Sequence, residues 1–190
     1  MKPDMKNSRG VTLVELVIVI IVIGIMAAVM APLALSSLLA YENVMGDVVV
    51  LDKLRYTNER LVREIREVNY TSPTTGFAFT AGTGMGLHTM QFTRTSFNAA
   101  GVASTDTVTV GNTGSEATLA YSSMPAVGAQ VLTDDLNGLN GLTFKYFLSD
   151  GVTPATDAKD VRMVQIELDL KHNGSSNYTQ LTQLQLKNIN

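Results

Sequence analysis

An unbroken apolar run is the strongest pattern in the chain. Residues 16–35 are twenty residues without a polar side chain. An α-helix rises about 1.5 Å per residue, so this run predicts a helix that crosses a hydrocarbon layer of about 30 Å. Lys2, Lys6 and Arg9 precede it and outweigh Asp4. This charge bias predicts a cytoplasmic N-terminus and a C-terminal region on the far side of the membrane.

A second pattern, over residues 41–70, is typical of an amphipathic helix because its apolar positions recur at spacings of three, four or seven. The apolar positions are Val44, Val48, Leu51, Leu54, Leu61, Ile65 and Val68. Charges of opposite sign at i, i+4 predict a solvated, salt-bridged face opposite them. The pairs are Arg55–Glu59, Glu59–Arg63, Arg60–Glu64 and Arg63–Glu67. Together the two patterns predict one helix from Val11 to about Asn69.

From residue 71 onward, alternating apolar residues and frequent turn residues predict antiparallel strands. Pro73 and Gly76 mark the predicted exit from the helix. The predicted strands are residues 77–81, 86–94, 106–111, 117–122, 142–149, 161–170 and 178–187. The last three carry apolar faces that can cover the amphipathic helix. The predicted fold class is therefore α+β.

Composition narrows the possible functions. The 190 residues suit one core of ordinary size, and the absence of cysteine excludes disulfide scaffolds, thiolate metal sites and cysteine nucleophiles. A net charge of -3 argues against a dedicated nucleic-acid binder, so no nucleic-acid partner is expected. The two histidines, His88 and His172, stand outside any metal-ligand spacing or triad pattern, and no enzymatic activity is predicted.

Two acidic clusters contain carboxylates of the kind that bind calcium, although neither follows the spacing of an EF-hand loop. The carboxylates in question are Asp134, Asp135, Asp150, Asp157 and Asp160. No cofactor is otherwise predicted.

Glu15 is the unusual residue of the N-terminal region. A carboxylate in an apolar helix costs about 2.5–3.5 kcal/mol at the bilayer centre, so it calls for a partner. The alternative is that Glu15 lies at the headgroup boundary, where the N-terminus of the helix favours negative charge. Residues 8–16, with the sequence SRGVTLVEL, together with the apolar run that follows, resemble the processing signature of type IV prepilins and type II secretion pseudopilins.

This resemblance implies cleavage by a membrane prepilin peptidase between Gly10 and Val11, and methylation of the new N-terminus at Val11. Val11 departs from the Phe or Met that is commoner after the cut. The resemblance also implies that Glu15 pairs with the new α-amino group and sets the register between subunits in a filament. Gly24 and Pro32 fall where type IV pilins carry the residues that loosen this helix.

The implied fold is a type IV pilin-like ladle, in which a long N-terminal helix packs on a C-terminal antiparallel sheet domain. Its expected divisions are a leader (1–10), a transmembrane and assembly half of the helix (11–40), an amphipathic half (41–70) and a periplasmic β-rich domain (71–190). A looser resemblance, over residues 54–66 and 134–188, is to the J-type minor pseudopilins and to the PilW and MshO minor pilins.

The function so implied is that of a minor pilin or pseudopilin in the initiating or tip complex of a type IV pilus or a type II secretion pseudopilus. Expected partners are the prepilin peptidase, other minor subunits, the major pilin and, before assembly, inner-membrane lipid. One alternative is a signal-anchored periplasmic binding protein or adhesin that acts as a monomer. The other is a major pilin, although many of those carry a C-terminal disulfide and this chain has no cysteine.

Overall fold

A computed structural model gives the structure of the chain. The residues that it describes are 12–80, 84–97, 100–172 and 176–187. The chain divides into two compact units, Met1–Met45 and Gly46–Asn190. One long N-terminal helix, α1 (Leu13–Arg66), is followed by antiparallel sheets, so the predicted α+β class is confirmed.

Helix α1 ends three residues before the predicted end at Asn69. In its last turn the N–H groups of Glu67 and Val68 donate to carbonyls three residues back, at 3.1 and 3.3 Å, which tightens the turn. The N–H of Asn69 then donates to the carbonyl of Thr93 at 3.0 Å. The backbone of Asn69 therefore pairs with a strand residue and does not continue the helix. Sequence periodicity alone does not predict this pairing.

The part of α1 that lies in the first unit has no buried side chain among the described residues 12–45. Its large apolar side chains are 44–80% exposed from Leu13 to Met45. The helix is long and apolar enough to cross a membrane. Because apolar surface of this extent is unfavourable in water, the segment requires a lipid or protein environment.

Among its described residues, the second unit contains nine strands in three antiparallel sheets. Their bounds are β1 (Tyr70–Ser72), β2 (Gly76–Phe77), β3 (Thr89–Phe97), β4 (Ala103–Asn112), β5 (Ala117–Tyr121), β6 (Gln130–Thr133), β7 (Leu142–Phe147), β8 (Met163–His172) and β9 (Ser176–Gln185). The strand orders are β1-β2, β3-β4-β5-β6 and β7-β8-β9. Neighbours in sequence are neighbours in space, as short turns predict.

Two strands, β1 and β6, were not predicted, and the predicted strand 77–81 is reduced to β2. Gly76 explains the short β1–β2 hairpin, because its φ of +74° suits glycine and a Cβ there would collide with the backbone of Lys159. Residue 81 lies outside the described residues. Phe79 makes only an isolated bridge to Phe92.

The buried face of α1 differs from the predicted stripe. Val44, Val48 and Leu51 are 45–59% exposed, whereas Val50 is 3% exposed and packs into the core. Successive residues of a helix are about 100° apart, so a stripe through Val50 excludes Leu51. The predicted positions Leu54, Leu61, Ile65 and, after the helix, Val68 are confirmed as buried, but polar Thr57 and Glu64 share their face.

The predicted apolar faces of the last sheet are confirmed. Core side chains come from alternate positions of β7, β8 and β9, as a strand periodicity of two requires. They are Leu142, Phe144, Tyr146, Val164, Ile166, Leu168, Leu170 and Leu184, each at most 8% exposed. The core of the second unit is thus built between α1 and the sheets.

Candidate functional site

The start of α1 is the first candidate site. Gly10 and Val11, the predicted cleavage pair, lie outside the described residues. Thr12 caps the helix, because its Oγ1 accepts the backbone N–H of Glu15 at 3.3 Å and its carbonyl accepts the N–H of Leu16 at 3.2 Å. Glu15 therefore lies in the first turn. The cap uses the backbone of Glu15 and leaves its carboxylate out of this contact.

Gly24 and Pro32 both lie within α1. A Cβ at Gly24 would meet nothing within 4 Å, so this glycine fills no close approach in the described structure. Pro32 lacks the N–H that a regular helix donates to the carbonyl four residues back. Nearby, the hydroxyls of Ser36 and Ser37 both donate to the carbonyl of Leu33, at 3.0 and 2.8 Å. Side-chain hydroxyls thus add hydrogen bonds to the helix backbone directly after Pro32.

A buried polar cluster in the second unit centres on Arg94 of β3. Its Nη1 donates to Glu64 Oε2 on α1 at 2.7 Å and to Glu67 Oε2, directly after α1, at 2.9 Å. Its Nη2 lies 3.5 Å from Asp106 Oδ2 on β4, and the guanidinium stands 4.8 Å from the ring centroid of Tyr121 on β5. One arginine therefore joins the helix to three adjacent strands.

The same cluster includes Arg60, whose Nη2 donates to the Tyr121 hydroxyl at 2.6 Å and lies 2.9 Å from Glu64 Oε1. The predicted Arg60–Glu64 pair thus forms, but the expectation of a solvated face is wrong for Glu64, which is 2% exposed. The sheet covers this carboxylate. Arg94 pairs with its second oxygen, and this second cation offsets part of the cost of burying the charge. Arg55–Glu59 is confirmed as an exposed pair at 2.9 Å.

Asp106 is 1% exposed and is held by hydrogen bonds. Burial raises its pKa, but the backbone N–H of Ser123, the hydroxyl of Ser122 and the charge of Arg94 favour the carboxylate, so the net pKa lies below 3.8. The two serine donors are 2.9 Å from Asp106 Oδ1. Asp106 is therefore ionised in the folded chain at neutral pH.

We expect the free energy of unfolding of the second unit to fall as the pH drops below about 4, because the pKa of Asp106 is lower in the folded chain than in the unfolded chain. Its contribution is complete above the unfolded pKa and is lost as the pH falls through the folded one. The free energy of unfolding measured across this range should show a smaller pH slope for Asp106→Asn. Asp52→Asn, at an exposed helix position, is the matched control, and it should leave the free energy of unfolding at neutral pH within about 0.5 kcal/mol of the parent.

The candidate calcium ligands Asp134 and Asp135 contact a cation of the chain itself. Lys53 Nζ lies 2.7 Å from Asp134 Oδ1 and 2.6 Å from Asp135 Oδ2. These hydrogen bonds raise the pKa of Lys53 and lower that of Asp134. The ammonium group occupies the position between the two carboxylates and anchors α1 to the segment that follows β6.

The second acidic cluster does not converge. Asp150 closes a turn by accepting the N–H groups of Val152 and Thr153, at 3.0 and 2.9 Å, and the Thr153 hydroxyl, which lowers its pKa. Asp157 lies 3.8 Å from Lys159, and Asp160 donates its N–H to the Asp157 carbonyl. Within the described ranges, no three His, Cys, Asp or Glu side chains are placed to hold a metal.

The remaining candidates offer little chemistry. His88 Nδ1 is 3.3 Å from the carbonyl of Leu142, a contact that joins the segment before β3 to β7. A small open groove of about 240 Å³ lies along one stripe of α1, at Tyr56, Glu59, Arg60 and Arg63. Pockets that hold drug-sized ligands usually have about 300–1,000 Å³ and apolar walls, so this groove does not indicate a small-molecule site.

Comparison with known proteins bears on the N-terminal site. The family described as the prokaryotic N-terminal methylation motif matches residues 5–31. The match spans the predicted cleavage pair and includes Glu15 and Gly24, whereas Pro32 lies one residue beyond it. No curated protein and no solved structure matched the chain significantly.

Proposed function

We propose that the chain is a type IV pilin-like subunit that assembles through its N-terminal helix. The methylation motif at residues 5–31 carries this proposal. Support comes from the exposed apolar surface of α1 between Leu13 and Met45, which is suited first to lipid and then to neighbouring helices. The polar cluster and the ion pairs of the second unit have structural partners and form no recognisable catalytic arrangement in the described residues.

In this proposal the prepilin peptidase cuts between Gly10 and Val11, and Val11 is methylated. The chain is held in the inner membrane by a single span, with its N-terminus cytoplasmic and residues 71–190 periplasmic. The new α-amino group at Val11 is one helical turn from Glu15 and can pair with this carboxylate in the same or a neighbouring subunit. Glu15 then fixes the register of subunits in the filament.

The finer proposal is a minor subunit of the J-type, PilW or MshO kind, placed in the initiating or tip complex with other minor subunits and below or beside the major pilin. The α+β order of elements suits this class, and the residue pattern over 54–66 and 134–188 resembles it. Copy number separates this role from that of a major pilin, which is present along the whole filament.

Intact mass is the direct test of processing. We expect the mature chain to lack residues 1–10 and to carry one added methyl group only in cells that contain an active prepilin peptidase. Gly10→Val should block the cut, whereas Gly24→Ala should leave it unchanged, because nothing lies within 4 Å of a Cβ at Gly24. An untrimmed mass in both kinds of cell would contradict the proposal and favour the anchored monomer.

A further inference from the structure

Two polar side chains stand at the start of the apolar helix. Between residues 11 and 35, Thr12 and Glu15 are the only residues with a polar side chain. A hydroxyl or a carboxylate is costly in apolar surroundings unless it has a hydrogen-bond partner. The proposed function gives Glu15 a partner in the α-amino group at Val11, but it gives no role to Thr12. The hydroxyl of Thr12 therefore needs an explanation of its own.

The contacts of Thr12 connect it to the backbone of the first helical turn. Its Oγ1 accepts the N–H of Glu15 at 3.3 Å, and its carbonyl accepts the N–H of Leu16 at 3.2 Å. Helix α1 begins at Leu13, so Thr12 occupies the N-cap position, where a side-chain oxygen commonly accepts such an N–H. The two polar residues of this region are thus joined to each other directly.

The surroundings of this turn make the cap important. The first N–H groups of a helix have no partner inside the helix, and in water the solvent satisfies them. The large apolar side chains from Leu13 to Val17 are 44–80% exposed, so this turn belongs to the segment that requires lipid or protein around it. Water does not reach backbone groups in such surroundings. The Thr12 hydroxyl therefore satisfies the N–H of Glu15 where solvent does not.

The proposed cut leaves no substitute for this cap in the same chain. Cleavage after Gly10 would leave Val11 as the only residue before Thr12, and it would remove Ser8, the nearest hydroxyl upstream. Downstream, the next hydroxyl is that of Ser36, which donates to the carbonyl of Leu33. Without the Thr12 hydroxyl, the first turn of the mature chain would fray at its start.

We propose that Thr12 is a positioning residue for Glu15, because its hydroxyl holds the first turn closed and so fixes the carboxylate relative to the α-amino group at Val11. The hydroxyl bonds the backbone of Glu15 and leaves the carboxylate available for that α-amino group, in the same or a neighbouring subunit. In a frayed turn the distance between the two charges would vary, and the register that Glu15 sets would be lost. This inference rests on the proposed function and adds a second residue to its assembly site.

Removal of the hydroxyl alone tests this role in the full-length chain. Thr12→Val keeps the branched shape of the side chain but lacks the acceptor oxygen, whereas Thr12→Ser keeps the oxygen. We expect Thr12→Val to lower the amount of the chain in sheared filaments, relative to its amount in the membrane, at least about fivefold, and Thr12→Ser to stay within about twofold of the parent. Ser36→Ala removes another hydroxyl of α1, and as the matched control it should also stay within about twofold.

Combination with Glu15→Val separates positioning from a general effect on the helix. If Thr12 acts through Glu15, the hydroxyl has nothing to position once the carboxylate is gone. Thr12→Val should then lower the filament amount of a Glu15→Val chain by less than about twofold further. A further loss of about fivefold in this background would show that the hydroxyl acts independently of the carboxylate, and it would overturn the proposal.

Amide hydrogen exchange measures the cap itself, independently of assembly. In the purified chain in detergent, the N–H of Glu15 should exchange at least about fivefold faster in Thr12→Val than in the parent, because it loses its acceptor. In Thr12→Ser the rate should stay within about twofold of the parental rate. Equal exchange of this N–H in the parent and in Thr12→Val would contradict the contact on which the proposal depends.

Intact mass distinguishes a failure of this inference from a failure of the proposed function. An untrimmed parent chain would contradict the proposed function, and the role of Thr12 with it. If the parent is trimmed and assembled but Thr12→Val reaches filaments equally well, only the role of Thr12 is overturned. A Thr12→Val chain that stays untrimmed beside a trimmed parent would also overturn it, because the hydroxyl would then act at the cleavage step and not on the register.

Discussion

Replacement of Arg94 by alanine should destabilise the second unit by about 3–5 kcal/mol, because it leaves the buried carboxylate of Asp106 without its cation and removes one of the two cations that pair with Glu64. Glu64 and Asp106 are 2% and 1% exposed, and Arg94 lies within 3.5 Å of both. Arg60 still pairs with Glu64, whereas the ion pair of Asp106 is with Arg94. Denaturant unfolding of the full-length chain in detergent, followed by circular dichroism, measures the loss.

Arg66→Ala is the matched control, since Arg66 is an exposed arginine in the last turn of the same helix. We expect it to change the free energy of unfolding by less than about 0.5 kcal/mol. In a double-mutant cycle, Arg94→Ala combined with Glu64→Gln should destabilise by less than the sum of the two single changes, because both remove the same Arg94–Glu64 ion pair. Equal unfolding of the Arg94 and Arg66 variants would contradict the role assigned to the cluster.

Replacement of Glu15 by valine should lower the amount of the chain in sheared filaments at least about tenfold, while its amount in the membrane stays at the parental level. A valine there inserts readily into lipid but offers no partner for the α-amino group that the proposed cleavage would create at Val11. Because the cap of α1 uses the backbone N–H of Glu15, the substitution leaves the helix start intact. Quantitative immunoblots of filament and membrane fractions measure the ratio.

Glu42→Val serves as the control, since Glu42 is a second exposed carboxylate of α1. It should leave the ratio of filament to membrane protein within about twofold of the parent, because it lies far from the start of the helix. If Glu15→Val chains reach filaments as well as the parent, Glu15 is a headgroup-boundary residue. That result would contradict the proposed role of Glu15 in the register of subunits, but it would not contradict the proposed cleavage after Gly10.

Local patterns predicted those parts of the fold that depend on local physics. The apolar run at residues 16–35 gave the helix, and the alternation in 142–149 and 161–170 gave two strands and their buried faces. Thr12 and Glu15 form the start of a capping pattern that the sequence displays, S/T-x-x-E. The cap itself was not predicted, although this spacing was available as a signal.

The polar cluster could not be predicted because its members are far apart in the chain. Arg94 is thirty residues from Glu64, and only the packing of β3 against α1 brings them together. The i, i+4 spacing of Arg60 and Glu64 suggested a surface pair, since nothing local reveals that a strand covers the carboxylate. The same holds for Lys53, which meets Asp134 and Asp135 across more than eighty residues.

Two ion-paired residues of α1, Lys53 and Glu64, affect how the second unit responds to force. Lys53 and Glu64 are eleven residues apart, about 16 Å along the helix. Sliding the helix by one turn, about 5.4 Å, would separate both from their partners at once, whereas apolar contacts could re-form one turn along. A force that pulls this part of α1 along its axis therefore has to break both sets of ion pairs together. The ion pairs thus increase the resistance of the second unit to sliding of the helix.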